Sequence, residues 1–312
     1  MNQITGDRGL SRRRFLGSAA AIGAGAMVPG SVLTAAATAR RFTLVYFTKF
    51  LAGLDPAEIA TVIRKFGLAG LDLAVRPGHW VNPDNVAEAL PKALAIWKEA
   101  GLDVALVSTE TNLTSPSHPA AEAIYAACGA RRVPNIKIGY WRAGGDRPYR
   151  TALDQARRDL EGFAALSRRH GVRTLLHTHA GSYLTCNATG LMLLAAAHEP
   201  ALVGAYLDPA HLAVNGEPLD LALDIVGPHL AMVAAKNAAY IARPGPDGTT
   251  WRKEMCLLSE GLVDWRAALG LLERAGYRGV ISLHGEYAGA EEREAILAKV
   301  ATDAAYLLKL TS

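Results

Sequence analysis

The sequence predicts an α/β protein, a single (β/α)8 TIM barrel, and three observations lead there. Eight apolar strand-like runs alternate with longer amphipathic stretches from residue 41 to the end of the chain. Several of those runs stop abruptly at polar side chains able to do chemistry. The stretch 40–312 is also close to the ~250 residues typical of such barrels. The competing arrangement is an open doubly wound sheet. That fold calls for a glycine-rich phosphate turn after the first strand, and Phe47-Thr-Lys-Phe-Leu-Ala-Gly53 is not one.

The first 39 residues are set apart from the fold. Ser11-Arg-Arg-Arg-Phe-Leu-Gly17 precedes a weakly apolar stretch of Gly and Ala, and small residues recur at Ala35, Ala37 and Ala39. This order resembles a twin-arginine export signal cleaved after Ala37 or Ala39, with the twin-arginine translocase as partner and the periplasm, or secretion, as destination. The stretch is too short and too rich in Gly and Ala to be a good membrane span, so no stable membrane association is expected. The segment carries Arg8, Arg12, Arg13 and Arg14 against Asp7, which leaves the rest of the +4 chain near neutral. Nucleic-acid binding is not expected of it. Cys128, Cys186 and Cys256 are odd in number and far apart, which suits buried thiols rather than a disulfide framework or a metal cluster.

From there the elements follow in order. Strands are expected at 42–48, 70–75, 102–108, 135–140, 173–178, 203–208, 230–236 and 279–284. Helices are expected near 55–66, 84–100, 119–130, 150–170, 187–198, 218–226, 263–275 and 290–309. Asp55-Pro56 and Asn82-Pro83 read as helix starts, and Gly101, Gly171 and Gly276 as helix stops. The segment 237–261, with Pro244-Gly-Pro-Asp-Gly248 in its middle, reads as one long irregular loop over the catalytic rim.

The sixth strand is the most informative. Leu202-Val-Gly-Ala-Tyr-Leu-Asp-Pro-Ala-His211 begins as a strand buried on both faces and ends in a carboxylate and an imidazole. The C-terminal rim is where such barrels keep their chemistry. The other ends carry Lys49, Arg76 with His79, Glu110, Tyr140 with Trp141, His177 with His179, Lys236 with Asn237, and His284 with Glu286. Residues two apart on a strand share a face, which pairs His177 with His179 and His284 with Glu286. His177, Asp208 and His284 are the candidate metal ligands. Mixed imidazole and carboxylate donors suit one divalent ion of Mn, Zn, Fe or Co rather than Ca or Mg. The alternative is a metal-free acid/base site in which the histidines act directly. Glu286, Lys236, His179, His211 and Glu110 are the candidate catalytic groups. Arg76, His79, Trp80, Tyr140, Trp141 and Lys49 are candidates for binding substrate.

On these residues the chain resembles the xylose isomerase-like barrel superfamily, the sugar phosphate isomerases and epimerases related to endonuclease IV. The resemblance spans 42–310. It rests on Leu71-Asp-Leu-Ala-Val-Arg-Pro-Gly-His79, His177-Thr-His-Ala-Gly181, Leu207-Asp-Pro-Ala-His211, Lys236-Asn237, Ser259-Glu-Gly261 and Ile281-Ser-Leu-His-Gly-Glu-Tyr287. It implies one divalent ion held by a glutamate after the fifth strand, an aspartate after the sixth, a histidine near the seventh and a glutamate after the eighth. Asp208 matches, whereas His177, Ala234 and His284 stand at the other three positions. The two glutamates that normally shuttle protons between sugar carbons are therefore replaced.

The expected activity is isomerase or epimerase chemistry on an unphosphorylated sugar or sugar derivative, by proton abstraction next to a carbonyl. Metal or Lys236 would stabilise the enediolate. A lyase or hydratase acting on a keto-glycoside is the alternative enzyme, and a non-catalytic sugar-binding barrel the alternative of another class. Endonuclease activity is disfavoured by the incomplete ligand set and the near-neutral charge. A homo-oligomer is compatible with the sequence, which does not specify one.

Overall fold

The computed structural model describes residues 41–312. The expected export signal, residues 1–39, lies outside them. The strands are β1 (Thr43–Phe47), β2 (Gly70–Ala74), β3 (Asp103–Ser108), β4 (Asn135–Lys137), β5 (Arg173–His177), β6 (Val203–Leu207), β7 (Leu230–Ala235), β8 (Asn237–Gly245), β9 (Gly248–Cys256) and β10 (Val280–Leu283). β1 to β7 and β10 pair in parallel and close into a barrel, with β10 seated between β7 and β1. The expected eight-stranded barrel is the observed fold.

The helices are α1 (Pro56–Lys65), α2 (Val86–Glu99), α3 (Ala121–Ala130), α4 (Tyr149–His170), α5 (Ala188–Ala195), α6 (Pro209–Val214), α7 (Leu219–Val226), α8 (Trp265–Arg274) and α9 (Arg293–Thr311). α1 starts at Asp55 as expected. The Asp55 carboxylate accepts from the N–H groups of Ala57 and Glu58, and Glu58 accepts from the Asp55 N–H, all at 2.8 Å. Asn82-Pro83 does not start α2. Asn82 instead caps a turn by accepting from Asp84 N–H at 3.0 Å, and the helix begins three residues beyond Pro83. α4 stops at Gly171, whose φ of 65° is left-handed.

Strand alternation decides which side chains enter the barrel. Leu106, Leu175, Tyr206, Met232 and Ala234 form its interior cluster, while a larger aliphatic layer packs between strands and helices. Continuing the same alternation carries Ser108, His177, Asp208 and Lys236 inward at the strand ends. β4 is shorter than expected because Gly139 and Tyr140 leave the sheet to donate to Leu113 O and Thr111 O. A Cβ at Gly139 would lie 2.6 Å from Thr111 O, so the crossing is closed to other residues.

The segment expected as an irregular loop is ordered. β8 and β9 pair in antiparallel register from Asn237↔Cys256 to Gly245↔Gly248, turning at Pro246-Asp247. The three thiols are free, with Cys128 buried and Cys186 and Cys256 half-buried. Among the described residues no helix is long and apolar enough to cross a membrane.

Candidate active site

The C-terminal ends of the strands enclose a cavity of about 90 Å³. Lys49, Arg76, Tyr140, His177, His179, Lys236, His284 and Glu286 line it, as expected from sequence. Ser108, Lys137 and Tyr206 line it too, and sequence reasoning did not select them. Asp208 and His211 are buried behind this lining rather than in it.

Four of the expected site residues do not line this cavity. Trp141 is a packing residue: its indole N–H donates to Thr114 O at 2.9 Å and its ring meets Phe163 edge-on. Trp80 sits away from the mouth in a shallow surface groove with Asn85, Glu88, Ala89 and Lys92. His79 belongs to the β2–α2 turn, where its carbonyl accepts from Asn82 Nδ2, and it is not part of the cavity lining. Glu110 is half-buried and does not line the cavity. All four follow strands at distances the chain can turn through, so spacing alone did not tell them from the lining residues.

At the centre stands Lys236, 2% exposed. Its ammonium lies 3.0 Å from Asp208 Oδ2 and 3.0 Å from Glu286 Oε2. Lys49 donates to the other oxygen of Glu286 at 2.9 Å. Burial alone would push the Asp208 and Glu286 carboxyls up. Lys236 instead holds both well below the carboxylate range, aided by Lys49 at Glu286. Burial pulls Lys236 down in turn, but the two carboxylates more than offset it and the ammonium is retained. Glu286 is thus a paired anion and a poor base.

The imidazoles are neutral. Burial lowers His177 to about 4 and His179 and His211 to about 3. His284 is pushed well below its ordinary value by burial and by Lys236. Their hydrogen bonds settle which nitrogen carries the proton. His179 Nδ1 faces Ala180 O at 3.0 Å and must donate, which leaves Nε2 bare. Tyr206 donates its one proton to Asp72 Oδ2 at 2.9 Å, so His284 Nε2, 2.9 Å from the same hydroxyl, must donate to it. His284 Nδ1 is therefore bare as well. His177 Nδ1 shares a hydrogen bond of 2.7 Å with the Tyr140 hydroxyl, while its Nε2 lies 3.4 Å from Asp208 Oδ2. The rings of His179 and His211 lie 4.0 Å apart.

Two charged residues missed from the sequence complete the floor. Asp72, 1% exposed, accepts from Ser108 at 2.6 Å and Ser282 at 3.0 Å besides Tyr206, and burial still raises it to about 6. Lys137, 3% exposed, has its Nζ 3.9 Å from the centre of the Tyr140 ring. Burial and Arg76 push its amine well below the lysine range. Each stood as a lone charge in an apolar strand run, the one signal that could have flagged it.

The expected ligand trio of His177, Asp208 and His284 does not form a metal centre. Among the described residues no three His, Cys, Asp or Glu groups are arranged to hold an ion. An ion at ligand distance, ~2.0–2.2 Å from Asp208 Oδ2, would stand within about 5 Å of the Lys236 ammonium on the same oxygen. The repulsion is at least roughly 6 kcal/mol at an effective dielectric near 20. A divalent ion does not fit this donor set.

Comparison with known proteins follows the fold. The family described as xylose isomerase-like TIM barrel matches residues 60–302. No curated protein matches the chain. Among solved structures, D-psicose 3-epimerase from Clostridium cellulolyticum H10 with D-tagatose superposes with a TM-score of 0.64 at 13% identity, covering 87% of this chain and 100% of that one. The apo form of 3-keto-D-glucoside 4-epimerase from E. coli gives 0.62 at 14%, over 84% and 98%. A xylose isomerase-like TIM barrel protein from Mycobacterium smegmatis in complex with magnesium gives 0.62 at 15%, over 86% and 96%. At such identities the likeness is one of fold.

Proposed function

Because the chain belongs to the xylose isomerase-like TIM barrel family, we propose that it is an exported isomerase or epimerase of an unphosphorylated sugar or sugar derivative. The reaction is proton transfer at a carbon next to a carbonyl. The observation that carries this reading is the pair of bare imidazole nitrogens, His179 Nε2 and His284 Nδ1, on side chains that line one cavity from different strands. One takes a proton from carbon and the other returns one, in the role two carboxylates would otherwise fill. Solved structures of the same fold whose names are those of sugar epimerases support the substrate class.

Burial keeps both bases neutral, so their lone pairs are available at any physiological pH, but it also makes them weak. A weak base needs a strongly acidified C–H bond, so a positive group must meet the carbonyl oxygen. Arg76, Lys49 and Tyr140 then hold the remaining hydroxyls from the cavity wall.

The test is solvent exchange. Wild-type protein in D2O with aldoses, ketoses and 3-keto-glycosides should replace one carbon-bound proton of its substrate by deuterium, followed by NMR. His179→Gln and His284→Gln should each slow the exchange roughly 100-fold. Absence of exchange with every sugar sinks the enzyme reading in favour of a binding protein. Release of the glycosidic group in the same spectra marks a lyase instead.

Export is tested separately, by changing Arg12 and Arg13 to Lys in the producing cell. The variant should remain in the cytoplasm at full length. Unchanged appearance of the processed protein in the periplasm removes the twin-arginine route.

A further inference from the structure

Lys236 occupies an unusual place for a lysine. Met232, Ala234 and Lys236 share the inward face of β7 and its continuation, so the backbone aims the side chain into the mouth. There it is buried and bridges two carboxylates from other strand ends, Asp208 after β6 and Glu286 after β10. An ammonium has three N–H donors. One is given to Glu286 Oε2 as a hydrogen bond, Asp208 Oδ2 lies 3.0 Å away as an ion-pair partner, and among the described residues no other acceptor is recorded for Lys236. The side chain also lines the cavity. Lys49 balances the second charge of the carboxylate pair, so the cluster is already neutral without any further cation.

We infer that the Lys236 ammonium is the resident cation of this site, standing where a divalent ion would otherwise bridge Asp208 and Glu286, with an N–H left for an oxygen of the bound sugar. The sugar part rests on the function proposed above; the cation part does not. Lys236 is then the group that meets the carbonyl oxygen and takes up its charge as the proton leaves carbon. Asp208 and Glu286 act as positioning residues: they hold the ammonium charged and aimed. The Mycobacterium smegmatis protein of the same fold, in complex with magnesium, and this chain would thus reach one electrostatic end by different means.

Metal binding is the measurement, because it needs no substrate. Protein purified without chelator, then stripped and titrated with MnCl2, should hold no stoichiometric manganese by elemental analysis and calorimetry. Lys236→Ala opens the place between Asp208 and Glu286, and should bind one Mn2+ per chain at least about tenfold more tightly than wild type. The double change Lys236→Ala with Asp208→Ala should lose that gain. One Mn2+ per wild-type chain, abolished by Asp208→Ala alone, overturns the inference. So does a folded Lys236→Ala protein with no gain in manganese affinity, since Lys236 would then be only a salt-bridge partner. Should Lys236→Ala not fold, Lys236→Met is titrated in its place, and the wild-type result decides by itself. If deuterium exchange fails with every sugar while the manganese pattern holds, the proposed reaction falls and the resident cation stands.

Discussion

A single hydroxyl governs much of the floor of the cavity. Tyr206 has one proton to give, and gives it to Asp72, a carboxylate already accepting from Ser108 and Ser282. The consequence reaches His284, which must present its Nε2 hydrogen to the tyrosine oxygen and its bare Nδ1 elsewhere. Tyr206→Phe breaks this chain of donors without changing the shape of the ring. Asp72 Oδ2 lies 3.8 Å from His284 Nε2, beyond hydrogen-bond reach. The variant should lose ~1–3 kcal/mol of stability, the usual cost of leaving buried polar groups without partners. Nitrogen NMR of His284 should show a mixture of tautomers where wild type shows one, and deuterium exchange should slow with it. A variant that keeps the single wild-type tautomer refutes the relay from Asp72. Lys137 belongs to the same scale. Its position over the Tyr140 ring depends on a strand register that neighbouring residues do not announce, which is why a lysine in an apolar run passed unremarked.

Among the elements, what the sequence made legible and what it hid divide by physical cause. Strand existence was legible, since apolar runs bounded by helices have one way to bury both faces. The strand-end histidines and Lys236 were legible because alternation carries polarity inward at a rim. The β8–β9 hairpin was not. Its strands are exposed over most of their length, so Tyr240, Ile241 and Trp251 carry no buried partner pattern, and Pro244 reads as a break. Its order comes instead from nine cross-strand register pairs and from ion pairs such as Arg243 with Glu254 at 2.6 Å. α6 was hidden for another reason. It is one short helix capped by Asp208 itself, whose Oδ1 accepts from His211 N–H at 3.1 Å. The same carboxylate therefore caps a helix with one oxygen and holds Lys236 with the other. The residue pattern Asp-Pro-Ala-His displayed the pair but not that division of labour. Ala234 shows the opposite limit: a methyl group buried in the barrel interior gives no sign that a ligand is missing until the lysine two residues later is seen in the same mouth.

For the whole molecule, the neutral imidazoles tie folding to pH. His79 and His177 are lowered by burial from 6.5 to about 4, His179 and His211 to about 3, and His284 well below 6.5. The unfolded chain protonates these groups below pH ~6.5, whereas the folded chain does not, so unfolding takes up protons as the solution is acidified. Asp72 and Asp303 oppose this. Burial raises each from 3.8 to about 6, so between those values the folded chain holds two protons that the unfolded chain releases. Five imidazoles outweigh two carboxyls, and the net sign follows the histidines. Stability should therefore climb with pH from about 4 to about 6.5, at ~1.4 kcal/mol per pH unit for each net proton, and more gently above it, where Lys137, held below the lysine range, is still protonated only in the unfolded chain. Asp208 and Glu286, held low by Lys236, add stability that is lost only at still lower pH, as their depressed values are approached. Urea unfolding at pH 5 and pH 7 measures the slope directly. A midpoint clearly higher at pH 7, with the difference reduced in His177→Gln and His211→Gln, is the expected result. An equal midpoint at the two pH values would mean that these histidines are charged or solvated in the folded protein, and with that the neutral two-imidazole site would fail.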